Sequence, residues 1–257
     1  MGERLGTSIV IDNKPGAGGS LGSDMAAKAT ADGQTLLFTT TSTHSIGPAI
    51  GAKLPYDTVR DFTPIAHVGN APSIMLVPNS SPAKTVKEWI EYARKNPGKL
   101  NYASSGNGTI VQLTAELFKA QAGLYVTHIP YKGGAPAMND LLAGHVKVML
   151  AGMGDASPHL NSGRVVPLVT TGKARSALLP NIPTLQELGI LDFDASGWCG
   201  LHAPAGTPAE LINKINQDVM AALADPAVRQ GMAAMDVEPR PTTVPEFRQF
   251  MDSQFVK

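Results

Sequence analysis

One cysteine, Cys199, stands among 257 residues. An internal disulfide is excluded, and so is a metal site built on cysteine pairs. Flanked by Trp198 and Gly200 with no base beside it in sequence, Cys199 reads as a buried, inert thiol. Charge of one sign is also missing: 21 Lys and Arg balance 21 Asp and Glu. Nucleic-acid binders carry a basic excess or patch, and no run of Lys and Arg occurs here, so nucleic acid is not an expected partner. No apolar run approaches the roughly 18 residues that a membrane-spanning helix needs. The opening Met1-Gly2-Glu3-Arg4-Leu5-Gly6 has no apolar core of a signal peptide, and Gly6 stands where a myristoylation pattern takes Ser or Thr. The six histidines (His44, His67, His128, His145, His159 and His202) form no H-x-x-x-H or H-E-x-x-H pair, so neither a metal nor a cofactor is expected. What is present is globular material. Hydrophobic residues make up 43% and charged residues 16%, which excludes disorder, and the length exceeds one average domain.

Strand-like and helix-like runs alternate. Residues 8–11 and 35–39 are β-rich, and residues 20–30 between them carry Leu21, Met25, Ala26 and Ala29 at helical spacing. Residues 73–77, 147–150 and 165–169 read as further strands. Thr85, Thr184, Thr207 and Thr243 each precede a glutamate by three positions (Glu88, Glu187, Glu210, Glu246), the capping-box signature of a helix start. Pro208 suits the first position of a helix with Leu211, Ile212, Ile215, Val219 and Leu223 on one face. The alternation predicts an α/β protein with a mostly parallel sheet. Residues 196–204, apolar and glycine-flanked, fit either a strand crossing between two lobes or an ordinary buried strand.

Two nearby segments share one design. Tyr102-Ala103-Ser104-Ser105-Gly106-Asn107-Gly108-Thr109 runs into a helical pattern from Ile110. Thr127-His128-Ile129-Pro130-Tyr131-Lys132-Gly133-Gly134-Ala135-Pro136 runs into another at residues 137–142. Each reads as a strand, a glycine loop and a helix start. In an open α/β sheet such loops gather at the carboxyl ends of the strands. A helix start offers unpaired N–H groups and a partial positive charge. Two of them facing one cleft form an anion trap that needs no Arg or Lys. That chemistry suits a receptor for a small carboxylate better than a catalyst.

Other candidates carry open alternatives. Thr39, Thr41 and Thr43, within a run of hydroxyls at a strand end, either donate to a carboxylate or cap the residues that follow. Asp155 either binds an amine or hydroxyl of a ligand or favours a helix start, and Ser157 before Pro158 suits the N-cap of that helix. Gly16-Ala17-Gly18-Gly19-Ser20-Leu21-Gly22 invites two enzyme readings. As a dinucleotide fingerprint its third glycine is one place late. As a nucleophile elbow it puts Ser20 in a G-x-S-x-G frame, but Pro15 and its neighbours separate it from the preceding β-rich run. A serine hydrolase of the α/β class using Ser20 is therefore the alternative function. A plain helix-capping loop is the third possibility.

Further segments occur in a specific order: Asp12-Asn13-Lys14-Pro15-Gly16-Ala17-Gly18-Gly19, Leu54-Pro55-Tyr56-Asp57 with Asp61-Phe62, and Asn96-Pro97-Gly98-Lys99-Leu100-Asn101 leading into the first glycine loop. Then come Pro130-Tyr131-Lys132-Gly133-Gly134-Ala135-Pro136-Ala137, Leu179-Pro180-Asn181-Ile182-Pro183-Thr184 and Ala203-Pro204-Ala205-Gly206-Thr207-Pro208. Across essentially the whole chain these resemble the Bug receptors, the TctC-like substrate-binding family of tripartite tricarboxylate transporters. The resemblance implies a two-lobed periplasmic binding protein of the type II class, with one lobe from residues 1–100 and 200–257 and the other from 101–199. It implies a monomeric, non-enzymatic receptor that closes by a hinge on a small organic acid and serves uptake, through membrane subunits of the transporter, or sensing. The positions matching family contact loops are Thr39, Thr41, Thr43, Ser105, Asn107, Gly108, Thr109, Gly133, Gly134 and Ala135. Two departures accompany it. The family's signal peptide, first strand and first loop have no counterpart here, since residues 3–6 match the end of its first helix, and the tail is short at Phe255-Val256-Lys257. A fold lacking that strand is expected to be destabilised and to bind weakly. Ala151 stands where many relatives carry an acid, which points away from an amine-bearing ligand and toward a simple or aromatic carboxylate.

Overall fold

A computed structural model of the chain describes residues 2–190, 192 and 194–254. Met1 and residues 255–257, on which the expectations of an absent leader and a short tail partly rest, lie outside the described residues. The strands among the described residues are β1 (Leu37–Thr40), β2 (Phe62–Ala71), β3 (Ser73–Pro78), β4 (Asn101–Ser104), β5 (Thr127–Pro130), β6 (Val148–Gly152), β7 (Val165–Thr170), β8 (Gly197–Pro204) and β9 (Glu238–Pro239). They form two sheets, ordered β1-β8-β2-β9 and β5-β4-β6-β3-β7. The chain divides into two compact units. The first takes residues up to Asn70, Trp198–Ala233 and the chain from Val237 onward; the second takes Ala71–Gly197 and Ala234–Asp236.

The chain passes from the first unit to the second between Asn70 and Ala71. β3 is the reason, because it pairs antiparallel with β6 on one side and β7 on the other. Its residues alternate into two cores, Met75 and Val77 into one, Ile74 and Leu76 into the other, so all six are buried. A strand covered on both faces reads as an unbroken apolar run. β8 returns the chain to the first unit at Trp198, so residues 196–204 follow the crossing alternative.

The expectation of mostly parallel strand pairing is corrected. In the first unit β1 pairs antiparallel with β8, and β2 with β9. In the second, β4 pairs parallel with β5 and with β6, where helices Ile110–Ala122 and Gly134–Leu142 supply the crossovers that parallel neighbours require, and an isolated parallel bridge joins Thr170 to Thr184. Residues 8–11 form no strand, and Val10 is 84% exposed. A β-branched run becomes a strand only where a neighbour takes its hydrogen bonds, and none among the described residues does so here.

Helix starts follow the sequence unevenly. Thr85 and Glu88 close a full capping box on helix Val86–Lys95. Thr243 and Glu246 exchange the same bonds at the start of Val244–Gln254. Thr184 and Glu187 make both bonds too, yet close a turn instead of a helix. Thr207 does not cap: its hydroxyl donates to Pro204 O, and Pro208 is the N-cap of Ala209–Ala224. That helix buries Ile212, Ile215, Val219 and Leu223 against Ile65, Ala66 and Ala203 of the first unit.

Candidate functional site

Within the second unit, β5, β4 and β6 lie side by side and parallel, so their carboxyl ends share one edge. A helix starts directly beyond each end. Ile110–Ala122 follows β4, Gly134–Leu142 follows β5, and Met153–Leu160 follows β6. Three helix starts therefore line this edge, where the sequence pointed to two.

The first loop is built around Gly106, whose φ of 143° lies where side chains are strained. Its N–H donates to Ser104 Oγ at 3.2 Å, and its carbonyl accepts from Ser104 Oγ at 3.2 Å and from Thr109 Oγ1 at 2.7 Å. Thr109 also N-caps the helix, its hydroxyl accepting from Gln112 N. Ser104 Oγ lies 2.7 Å from His128 Nε2 on β5. With the proton on Nε2, Ser104 accepts from His128 and from Gly106 and donates to the Gly106 carbonyl, so its valences are complete. His128 stacks on Tyr102 with ring centroids 4.6 Å apart, and burial lowers its pKa. Two further bonds tie the loops together: Tyr131 N–H donates to Ser104 O, and Gly133 N–H to Ser105 O, both at 3.1 Å. His128 carried no motif in sequence; only the pairing of β4 with β5 brings it to Ser104.

Donor groups are left over. No acceptor among the described residues takes the N–H groups of Asn107, Thr109, Gly134 or Ala135. The Gly108 N–H is engaged by Gln112 Oε1 at 2.6 Å, so Gly108 shapes the loop without offering a donor. Lys132 is exposed and has no ion-pair partner among the described residues. Such an edge of free N–H groups at positive helix ends suits an anion.

The third helix corrects a local expectation. Gly152 is its N-cap, and Ser157 and Pro158 sit inside it. Asp155 therefore falls in the first turn, and its carboxylate lies against Gly134 at the start of the neighbouring helix. Desolvation pushes its pKa up.

The hydroxyl run belongs to the first unit, and its groups are already engaged. Thr39 is 1% exposed, with its hydroxyl 3.1 Å from Gly200 O and 2.9 Å from His202 Nδ1. Thr41 Oγ1 accepts from Trp198 N at 2.7 Å and donates to Trp198 O. Thr43 Oγ1 exchanges bonds with the backbone of Thr40 and meets His44 Nδ1 at 3.0 Å. These bonds hold β1, β8 and the turn after β1.

Ser20 opens helix Ser20–Ala27 behind a short turn of left-handed glycines, and no base among the described residues hydrogen-bonds it. The strand that a nucleophile elbow requires before it is missing, so the hydrolase alternative falls. Cys199 donates to Gly69 O, and burial pushes its thiol up to about 11. Among the described residues no cluster of three or more His, Cys, Asp or Glu could hold a metal, and no helix is long and apolar enough to cross a membrane.

The family model described as "Tripartite tricarboxylate transporter family receptor" matches residues 1–257. Protein BugT of Bordetella pertussis is 33% identical over 250 residues, covering 97% of this chain and 77% of that protein. The structure of R. palustris Rpa4515 with adipate superposes with a TM-score of 0.94 at 31% identity, over 99% of this chain and 85% of that one. That of MatC from Rhodopseudomonas palustris with bound malate gives 0.91 at 31% identity, over 99% and 87%.

Proposed function

The chain belongs to the tripartite tricarboxylate transporter receptor family, and from that premise we propose that it captures a small organic carboxylate in the periplasm for uptake or sensing. The family is one of receptors, not of enzymes. The observation that carries the proposal is the edge of the second unit where three helix starts meet, with the N–H groups of Asn107, Thr109, Gly134 and Ala135 lacking acceptors among the described residues. A carboxylate with two oxygens can accept from two such starts at once, and the macrodipoles favour its charge. Ser105, Gly108 and Gly133 shape the loops, and Gly134 and Ala135 supply donors. Relatives solved with adipate and with malate support an aliphatic dicarboxylate as the first class to try. The receptor acts as a monomer and passes its ligand to membrane subunits of a tripartite transporter.

Titration calorimetry against mono-, di- and tricarboxylates tests the proposal. At least one acid should bind with a stoichiometry of one, and Thr109→Ala should weaken it. If no acid binds, the proposal is wrong. Size-exclusion chromatography with light scattering checks the monomer, and cell fractionation checks the compartment.

A further inference from the structure

His128 ties a titratable ring to the first glycine loop. Its Nε2 lies 2.7 Å from Ser104 Oγ, and the Ser104 hydroxyl has a second acceptor in the Gly106 carbonyl at 3.2 Å. One hydroxyl proton serves one acceptor at a time. With a neutral His128 carrying its proton on Nδ1, the shorter bond takes the hydroxyl proton, and Gly106 O keeps Thr109 as its donor. With a cationic His128, Nε2–H donates to Ser104, and the hydroxyl proton is committed to Gly106 O. The protonated ring thus completes the bonds of the loop that carries the N–H groups of Asn107 and Thr109.

The same ring lacks a counter-ion. It is half-buried, stacks on Tyr102 of β4, and feels Glu116 and Lys119 of helix Ile110–Ala122. Glu116 is already engaged: Lys119 Nζ lies 2.8 Å from both its oxygens, and the Tyr102 hydroxyl donates to it. Burial lowers the pKa of His128, Glu116 raises it and Lys119 lowers it, and the net result lies below 6.5. Ile129, the next residue, packs with Met138 and Leu141 on the opposite face, where Asp140 bonds to Tyr131 and to His145. On the loop edge itself, Lys132 is exposed and Asp155 lies against Gly134. Among the described residues no carboxylate hydrogen-bonds or ion-pairs with His128.

Resting on the carboxylate-receptor reading, we infer that capture of the acid takes up a proton at His128, so that affinity rises as pH falls. The ligand carboxylate is the anion that the protein does not provide for this ring, and the proton comes from the buffer. An anion near the loop favours the charged imidazole. By linkage, the factor by which the acid strengthens proton binding equals the factor by which the proton strengthens acid binding. The gain begins as pH falls through the value of the ligand-bound ring and levels off below the value of the free ring. His128 is a positioning residue here: it acts on the ligand through Ser104 and through its charge.

Calorimetry on the full chain tests this with phenylacetate, succinate, adipate and tricarballylate as probes. At about pH 6, MES and Bis-Tris differ in ionisation heat, so the binding enthalpy of wild type should differ between them in the direction of proton uptake. Between pH 8 and pH 6 the wild-type Kd should fall at least about threefold. His128→Gln keeps an amide donor beside Ser104 but does not titrate, and should cut that gain to less than about half. Titration of the acids themselves and of Asp155 is common to both proteins, so the difference between them belongs to His128. Should His128→Gln fail to fold, NMR titration of the wild-type ring, free and saturated with acid, decides: its pKa must rise on binding. An unmoved ring pKa, equal enthalpies in the two buffers, or a variant with the wild-type pH dependence overturns the inference and leaves the receptor standing. Failure of all four acids to bind at either pH overturns both.

Discussion

Gly134 has room for no side chain, because Asp155 occupies the space. Gly134→Ala must therefore displace either the carboxylate or the helix start. Calorimetry should show the preferred acid bound roughly tenfold more weakly, a change of about 1.4 kcal/mol, with the protein still folded. Thr109→Ala removes both the cap on Gln112 N and the bond to the Gly106 carbonyl. It should cost about 1 kcal/mol in urea unfolding and weaken binding by a similar factor. If neither substitution changes affinity, the anion edge has been placed wrongly. His44 makes a separate prediction. It is fully buried between Tyr56, Phe62 and His202, its Nε2 has no hydrogen-bond partner among the described residues, and burial lowers its pKa from 6.5 to about 4. The unfolded imidazole takes a proton below its ordinary value, while the folded one resists. The stability from keeping His44 neutral is thus fully present above 6.5 and is lost as pH falls toward 4. Over the whole window it amounts to about 3 kcal/mol, of which about 2 kcal/mol is gone by pH 5. His202, buried beside it, shifts in the same direction. Melting temperatures at pH 7.5 and pH 5 check this, and His44→Phe should flatten the difference.

At the scale of elements, local signals were legible wherever both partners of an interaction lie within one turn. Thr85 with Glu88 and Thr243 with Glu246 close their boxes because the bonding groups are three residues apart. The two glycine loops were legible for the same reason, each being a continuous run from strand to helix. The third helix start was hidden, because Ser157-Pro158 is a stronger local N-cap signal than Gly152, yet the helix begins where β6 ends. The internal bonds of Thr39 and Thr41 were hidden because their partners, Trp198, Gly200 and His202, lie 157 to 163 positions away. Packing between elements also sets a constraint that no pattern shows. A Cβ at Gly200 of β8 would stand 2.3 Å from Phe247 Cζ of helix Val244–Gln254. Gly200→Ala should destabilise the first unit by about 1–3 kcal/mol, the usual cost of overpacking a core. Urea unfolding followed by tryptophan fluorescence reads this directly, since Trp198 packs on the same ring.

For the molecule as a whole, receptor function makes stability depend on ligand. An acid present at 100 times its dissociation constant should raise the free energy of unfolding by about 2.7 kcal/mol, seen as an upward shift in melting temperature that grows with concentration. An acid that binds by calorimetry without shifting the melt would contradict binding to the folded state. The sequence by itself determined the α/β class, the receptor family, the absence of cysteine and histidine metal motifs, and the two glycine loops. Each of these depends on residue type and short spacing. Only the tertiary structure decided the split at residue 70, the mixed sheets, the internal engagement of Thr39, Thr41 and Thr43, and the meeting of Asp155 with Gly134. These depend on which distant strand lies beside which, and strand neighbours are selected by long-range packing that no local spacing encodes.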